Sequence, residues 1–449
     1  MAALLLAVTT TSCGDDAVYE FNTSNECAIT SVMMGSLNRT IFTKNSKGED
    51  STFTVSVTGA LYPMSIDQER LRIYNLDSLP VNTDVSKVVF TAINSLGTLS
   101  IRSLQTGQDT IFSIKDSTDF RNSRTFTVHA TDGVSTRQYL MSINVHQQDG
   151  DSMVWSKVEN TPAVLGNLKN TRGLSTGKQL FVFGENEGVS QVFSASAEDL
   201  RLGNAAQAAP TNTVPAIATL SVVRFKEQFY ALGTDQRIMT SADGIHWDLL
   251  NDHFTASSLV AGSQKLLIAI KDGKFFSSPD GMTWQEDQAD DASHLPEAFA
   301  TGTVVPSSID PTFETIVVIG KKDGKNVVWS REIDLTGNET FPWIYLPESD
   351  KNPFNVPEIG HTALNLYDNA ILLSGINSDN TLSPLYMSKD NGRTWMTALI
   401  KTPAAQAQET VAVTVDENQF IWMFCGKTGE IWRGRINRLG WKKIEGSFE

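Results

Sequence analysis

Cysteine, positive charge and long apolar runs are all scarce in this chain. Only 3 cysteines occur in 449 residues, at positions 13, 27 and 425. No Cys-x-x-Cys pair and no His-rich cluster is present, which argues against a zinc site. Cys27 and Cys425 fall in different predicted domains, so a disulfide between them is not expected. Lys and Arg number 36 against 51 Asp and Glu, a formal net charge of -15. That balance argues against a nucleic-acid partner, because phosphate binding needs clustered basic side chains. The apolar run at the N-terminus is too short to span a bilayer. A Gly-rich phosphate loop, a Gly-x-Ser-x-Gly elbow and a His-Glu-x-x-His motif are missing as well. No residue is therefore assigned a catalytic role, and no cofactor is called for.

What is abundant is strand-like sequence. Thr, Ser, Val and Phe recur in short runs bounded by Gly, Asn and Asp, which predicts an all-β chain. With 40% hydrophobic and 19% charged residues it has ample material for globular cores, and its length calls for two domains or more. Residues 26–149 read as an antiparallel β-sandwich of seven or eight strands. Ser51–Val57 alternates polar and apolar, and Thr125–Ala130 meets the turn signal Thr131-Asp132-Gly133 before the long run Arg137–His146. His129 and His146 lie on these strand faces and are expected to be packing or surface residues.

The second part, residues 152–449, is built on a repeat. Ser241-Ala242-Asp243-Gly244-Ile245-His246-Trp247 recurs as Ser278-Pro279-Asp280-Gly281-Met282-Thr283-Trp284. It recurs again, one residue longer, as Ser388-Lys389-Asp390-Asn391-Gly392-Arg393-Thr394-Trp395. Each copy follows an apolar run and has a folding role at every position. The Ser and Asp oxygens can take backbone amides in a turn, Gly supplies positive φ, and Trp buries a large ring. The pattern resembles the Asp-box (BNR) repeat of β-propellers. That resemblance implies a hairpin between the two outer strands of a blade, away from any ligand channel. The family includes sialidases and many propellers without enzymatic activity. Six units are counted between Leu174 and Ile444, with a spacing near the ~40–50 residues of four-stranded propeller blades. Trp155 reads as an orphan outer strand that could pair with the last unit and close the ring. The predicted fold is thus an N-terminal antiparallel β-sandwich followed by a six-bladed β-propeller. A seventh blade would have to come from residues 286–360.

Residues 1–25 read as an export signal and polar tether. The apolar start, the Thr-rich stretch and Ser12-Cys13-Gly14-Asp15-Asp16 resemble a bacterial lipoprotein signal, lipidated at Cys13. Acidic residues after the cysteine resemble those of surface-exported lipoproteins of Bacteroidetes-type bacteria. The segment TFTVHATDGVSTRQYLMSINVH is similar to the last strands of cadherin-like and immunoglobulin-like bacterial modules. Joined to a propeller, it resembles a Bacteroidetes-type lipoprotein family of unknown function. The resemblance implies an outer-membrane or cell-surface protein that meets the membrane through its lipid anchor only.

Propeller ligands usually sit on the axis, where the innermost strands begin. The residues at those entries are Arg172, Thr219, Ser257, Thr301, His361 and Glu409, and Arg172, His361 and Glu409 form a candidate polar cluster for a sugar or peptide. Sialidase chemistry is not expected, because the early Arg-Ile-Pro motif is missing and arginines are few in this half. The aromatic cluster Phe341–Tyr345, with Trp422 and Trp432, is expected to be inter-blade core. The acidic loop 286–297 is the one candidate for Ca²⁺, though it lacks EF-hand spacing and reads better as a solvated loop. The favoured function is non-catalytic binding of a glycan or an envelope protein. The alternatives are a glycan-active enzyme, hydrolase or lyase, with an axial site, and a structural partner in an outer-membrane complex.

Overall fold

The computed structural model describes residues 23–159, 161–198, 212–213, 216–405 and 408–441. The export signal and Cys13 lie outside the described residues. The chain divides into two compact units, one ending at Asp149 and the other running from Gly150 to Trp441.

The first unit contains β1 (Ala28–Met34), β2 (Ser36–Lys44), β3 (Asp50–Thr58), β4 (Met64–Asp67), β5 (Arg72–Asn75), β6 (Phe90–Leu96), β7 (Thr98–Arg102), β8 (Asp109–Ile111), β9 (Arg124–His129) and β10 (Thr136–Ser142). One six-stranded sheet has the order β4-β5-β10-β9-β7-β8, while β1 pairs with β6 and β2 with β3. Inward faces share a single core. Ile29 of β1, Phe90 of β6, Phe126 of β9, and Tyr139 and Met141 of β10 all belong to it. Period-two alternation is plain in β10, where Tyr139 and Met141 are buried and Leu140 between them is exposed. One pairing departs from the antiparallel expectation: β10 runs parallel to β5, with Leu140 opposite Arg72. Parallel neighbours need a long crossover, and the chain between β5 and β10 supplies it. The sequence reading also passed over β2. Its hairpin with β3 buries little beyond Leu37 and Val57, so its apolar signal is weak.

Among the described residues, the second unit forms six four-stranded sheets. Their innermost strands are Lys169–Ser175, Val223–Phe225, Ser258–Gly262, Ala298–Pro306, Gly360–Tyr367 and Val411–Val415, in blades 1 to 6. Successive innermost strands are neighbours from blade 2 to blade 6, and that of blade 1 lies beside that of blade 6 and beside the turn Thr219–Ser221 that leads into blade 2, which closes a ring. The outermost strand of blade 6 is β11 (Met153–Lys157), from the beginning of the unit, paired with Ile431–Ile436 so that Trp155 faces Gly434. This strand from the other end of the unit covers the edge of Ile431–Ile436 and completes blade 6 as a four-stranded sheet.

The three repeated motifs are the outer hairpins of blades 2, 3 and 5. In each, the Ser hydroxyl accepts the Gly amide at 2.8 Å: Ser241 from Gly244, Ser278 from Gly281, Ser388 from Gly392. Asp243 and Asp280 each take two backbone amides at 2.8 Å, and Asp390 takes that of Thr394 at 2.9 Å. The Trp247, Trp284 and Trp395 indoles donate to the Gly carbonyls at 3.0, 2.9 and 2.9 Å. Trp247 then packs with Phe181, Phe183 and Phe229 between blades 1 and 2. No helix among the described residues is long and apolar enough to cross a membrane.

Candidate functional site

The propeller axis holds a cavity of about 370 Å³, walled by the innermost strands of all six blades. Of the expected entry residues, Arg172, Thr301 and His361 line it. Thr219, Ser257 and Glu409 do not. Thr219 is buried in a short turn before blade 2, where its hydroxyl donates to the Asn170 carbonyl at 2.7 Å. The Ser257 hydroxyl donates to the Ile270 carbonyl at 2.9 Å. Glu409 is exposed ahead of blade 6. The expected cluster of Arg172, His361 and Glu409 is therefore not formed.

Thr219, Ser257 and Glu409 lie ahead of Val223, Ser258 and Val411, where the innermost strands of blades 2, 3 and 6 begin, whereas the entries of the other three blades share an irregularity. Pairing skips between Lys169 and Arg172 in blade 1, between Ala298 and Thr301 in blade 4, and between Gly360 and Ala363 in blade 5. Within each bulge one residue has positive φ: Asn170 at 49°, Phe299 at 51° and His361 at 48°. A non-glycine side chain in that region is a strained conformation that surrounding structure must hold. The bulge re-aims these residues and moves the first regular inward position two residues on.

Residues on the wall that the sequence reading missed include Phe299, Arg224, Thr303 and Thr414. The Phe299 side chain is 63% exposed. Arg224 alternates with buried Val223 and Phe225, and that alternation was a usable signal for an inward-facing charge. Arg224 ion-pairs with the exposed Glu227 at 2.8 Å. Burial lowers the pKa of His361 below its ordinary value, which keeps the ring neutral at pH 7. Burial also pulls the Arg172 guanidinium down to about 10.

Other candidate chemistry is satisfied by the fold. In the acidic loop, Asp287 ion-pairs with buried Arg331 at 2.5 Å and accepts the Trp343 indole at 3.1 Å. Asp290 takes the Tyr345 amide, and Asp291 caps a short turn beside His294. These carboxylates point at protein donors and not at a common centre. Trp343 and Trp422 are fully buried, and Trp343 stacks on Phe275 at 4.0 Å, so these aromatics are core. Cys27 and Cys425 are free and buried, and burial pushes the Cys425 thiol up to about 12. His129 meets the Ser100 hydroxyl at 2.9 Å.

The family model described as DUF6242 beta propeller domain matches residues 149–444, and the DUF6242 N-terminal domain, a domain of unknown function, matches residues 32–143. No curated protein matches the chain. Among solved structures, the Hadza microbial sialidase Hz136 is 9% identical, with 92% of this chain and 93% of that chain covered and a TM-score of 0.36. The α-L-arabinofuranosidase PaAbf62A from Podospora anserina, in complex with cellotriose, is 9% identical over 62% of this chain and 95% of that chain, at a TM-score of 0.32. The WD40 domain of Toxoplasma gondii coronin is 7% identical over 64% of this chain and 87% of that chain, at a TM-score of 0.35. At such identities no chemistry carries over from them.

Proposed function

The chain belongs to the DUF6242 family, and from that premise we propose that its propeller is a non-catalytic module that binds a glycan on the axis. In this reading the protein is exported and held at the outer membrane or cell surface by lipid on Cys13. The observation that carries the reading is the axial cavity itself. It is walled by Thr301, Thr303, Thr362 and Thr414, by apolar strand residues and by Phe299, which is exposed. Hydroxyls and an aromatic face suit a sugar. Among the described lining residues there is no carboxylate. Glycoside hydrolysis commonly uses two, about 5–9.5 Å apart, so the wall favours holding a sugar over cleaving it.

The test is a glycan-array screen of the full chain beside the Arg172→Ala/His361→Ala double variant. A hit on the native protein that the double variant loses is the expected result. Capture of an envelope protein with no glycan hit would overturn the glycan reading in favour of a protein partner. Turnover of a bound glycan would overturn the non-catalytic part.

A further inference from the structure

Arg172 sits where a fold without a ligand has little reason to keep a charge. It and Thr301 hold the same place in their blades. Each is paired with the residue just before the glycine that follows the second strand's apolar run: Phe183 before Gly184, and Ile319 before Gly320. Blades 1 and 4 are opposite members of a ring of six. The Arg172 side chain therefore spans the axis, and its Nη1 donates to the Thr301 hydroxyl. Its Nε is sealed from solvent and has no hydrogen-bond partner. No carboxylate among the described residues forms an ion pair with it.

The other charges on the wall are accounted for. Arg224 has Glu227, and His361 is neutral at pH 7. The cavity thus carries one uncompensated positive charge. Burying an unpaired ion or leaving a buried donor unsatisfied is unfavourable. Such a site is completed by a monoanion that accepts from two parallel guanidinium donors, the side chain shifting to open its Nε to the cavity. A planar carboxylate matches that pair of parallel donors, whereas a phosphate dianion would call for more charge than one guanidinium offers.

We propose that Arg172 is the carboxylate-binding residue of an axial site for an acidic sugar, with the threonine hydroxyls on the sugar hydroxyls and Phe299 against a ring face. The proposal rests on the glycan-binding reading above and narrows it to sugars that carry a carboxylate. The cavity, at about 370 Å³, lies at the small end of the ~300–1,000 Å³ usual for ligand pockets, so the site takes a sugar unit or a chain end.

The experiment is isothermal titration calorimetry on the full chain with glucuronate, galacturonate and N-acetylneuraminate. Glucose, galactose and inorganic phosphate serve as controls. At least one acidic sugar binds, and the neutral counterpart of a bound uronate binds at least ~10-fold more weakly. Arg172→Gln loses about 10–100-fold, the equivalent of one charge-assisted hydrogen bond. Arg172→Lys, which keeps the charge but not the fork, retains part of the affinity. Uronates and the sialate separate the two sources of carboxylate. Ligand-free Arg172→Met melts no lower than the native chain, because the unpaired charge is gone. A residue that merely plugged the channel would give the opposite shift. Equal binding of neutral sugars, tighter binding of phosphate, native affinity in Arg172→Gln, or no binding by any probe would each overturn the proposal. A neutral glycan bound without need of Arg172 sinks this inference and leaves the glycan module standing. Cleavage of a bound acidic sugar sinks the non-catalytic reading and leaves the site.

Discussion

In the second box, one oxygen of Asp280 accepts the amides of Met282 and Thr283, both at 2.8 Å, and the Ser278 hydroxyl at 3.0 Å. The Thr283 amide holds its pKa below the ordinary value, against an opposing contribution from burial. A carboxyl that is more acidic folded than unfolded stabilises the fold above its unfolded pKa, near 3.9, and that contribution is lost as pH falls through the folded value. Asp280→Asn keeps an oxygen acceptor but removes the titration. Its melting temperature should therefore fall less steeply than that of the native protein between about pH 4 and pH 2. Parallel curves from thermal melts across that range would show that the turn amides do not depend on the charge. Arg172 obeys the same residue-scale logic with opposite consequence. Asp280 has its donors within the turn, while the Arg172 Nε waits for an acceptor that the described residues do not supply.

At the scale of the strand, the outer hairpins were legible and the inner entries were not. Ser, Asp, Gly and Trp at fixed spacing reveal the box because the Ser, Asp and indole hydrogen bonds that shape its turn lie within four residues. The second strands were legible too, since LFVFG, TIVVIG and FIWMFCG are buried on both faces and read as continuous apolar runs. Thr219, Ser257 and Glu409 missed the wall because they lie ahead of Val223, Ser258 and Val411, where the innermost strands of blades 2, 3 and 6 begin, while Arg172, Thr301 and His361 sit at the bulged entries of blades 1, 4 and 5. Arg172 was found because it follows the bulge directly, and His361 because it lies within one. Gly262 shows how tight these strands are. A Cβ there would overlap the Arg224 carbonyl in the neighbouring blade. Backbone cannot swing aside as a flexible side chain can, so Gly262→Ala should destabilise the propeller by about 1–3 kcal/mol. Chemical denaturation measures this, and a change within a few tenths would mean that the innermost strands give way around the axis.

For the whole molecule, the argument turns on where each function is housed. Every wall residue of the axial cavity lies between Thr171 and Val415, inside the second unit. That unit also contains its own closing strand, β11, which lies ahead of blade 1 in sequence and outermost in blade 6. Met153 and Trp155 of β11 pack onto the cluster formed by Tyr367, Ile421 and Ile436. Arg438, which ion-pairs with Asp368, reaches Asp151 just before β11 at 2.8 Å. Two truncations then give opposite outcomes. A chain of residues 150–449 keeps β11, and should keep the oligomeric state of the full chain and bind any axial ligand with its affinity. A chain of residues 159–449 lacks β11, so Ile431–Ile436 becomes an unpaired edge and part of an apolar cluster is uncovered. Such an edge recruits another strand, and this second chain should associate or aggregate and melt at lower temperature. Size-exclusion chromatography with thermal melting checks both. If the shorter chain were monomeric and equally stable, the ring would hold by blade packing alone, and β11 would be an ornament on a closed toroid. Lower affinity in the 150–449 chain would instead place a contribution to the site in the N-terminal unit, against the composition of the cavity wall.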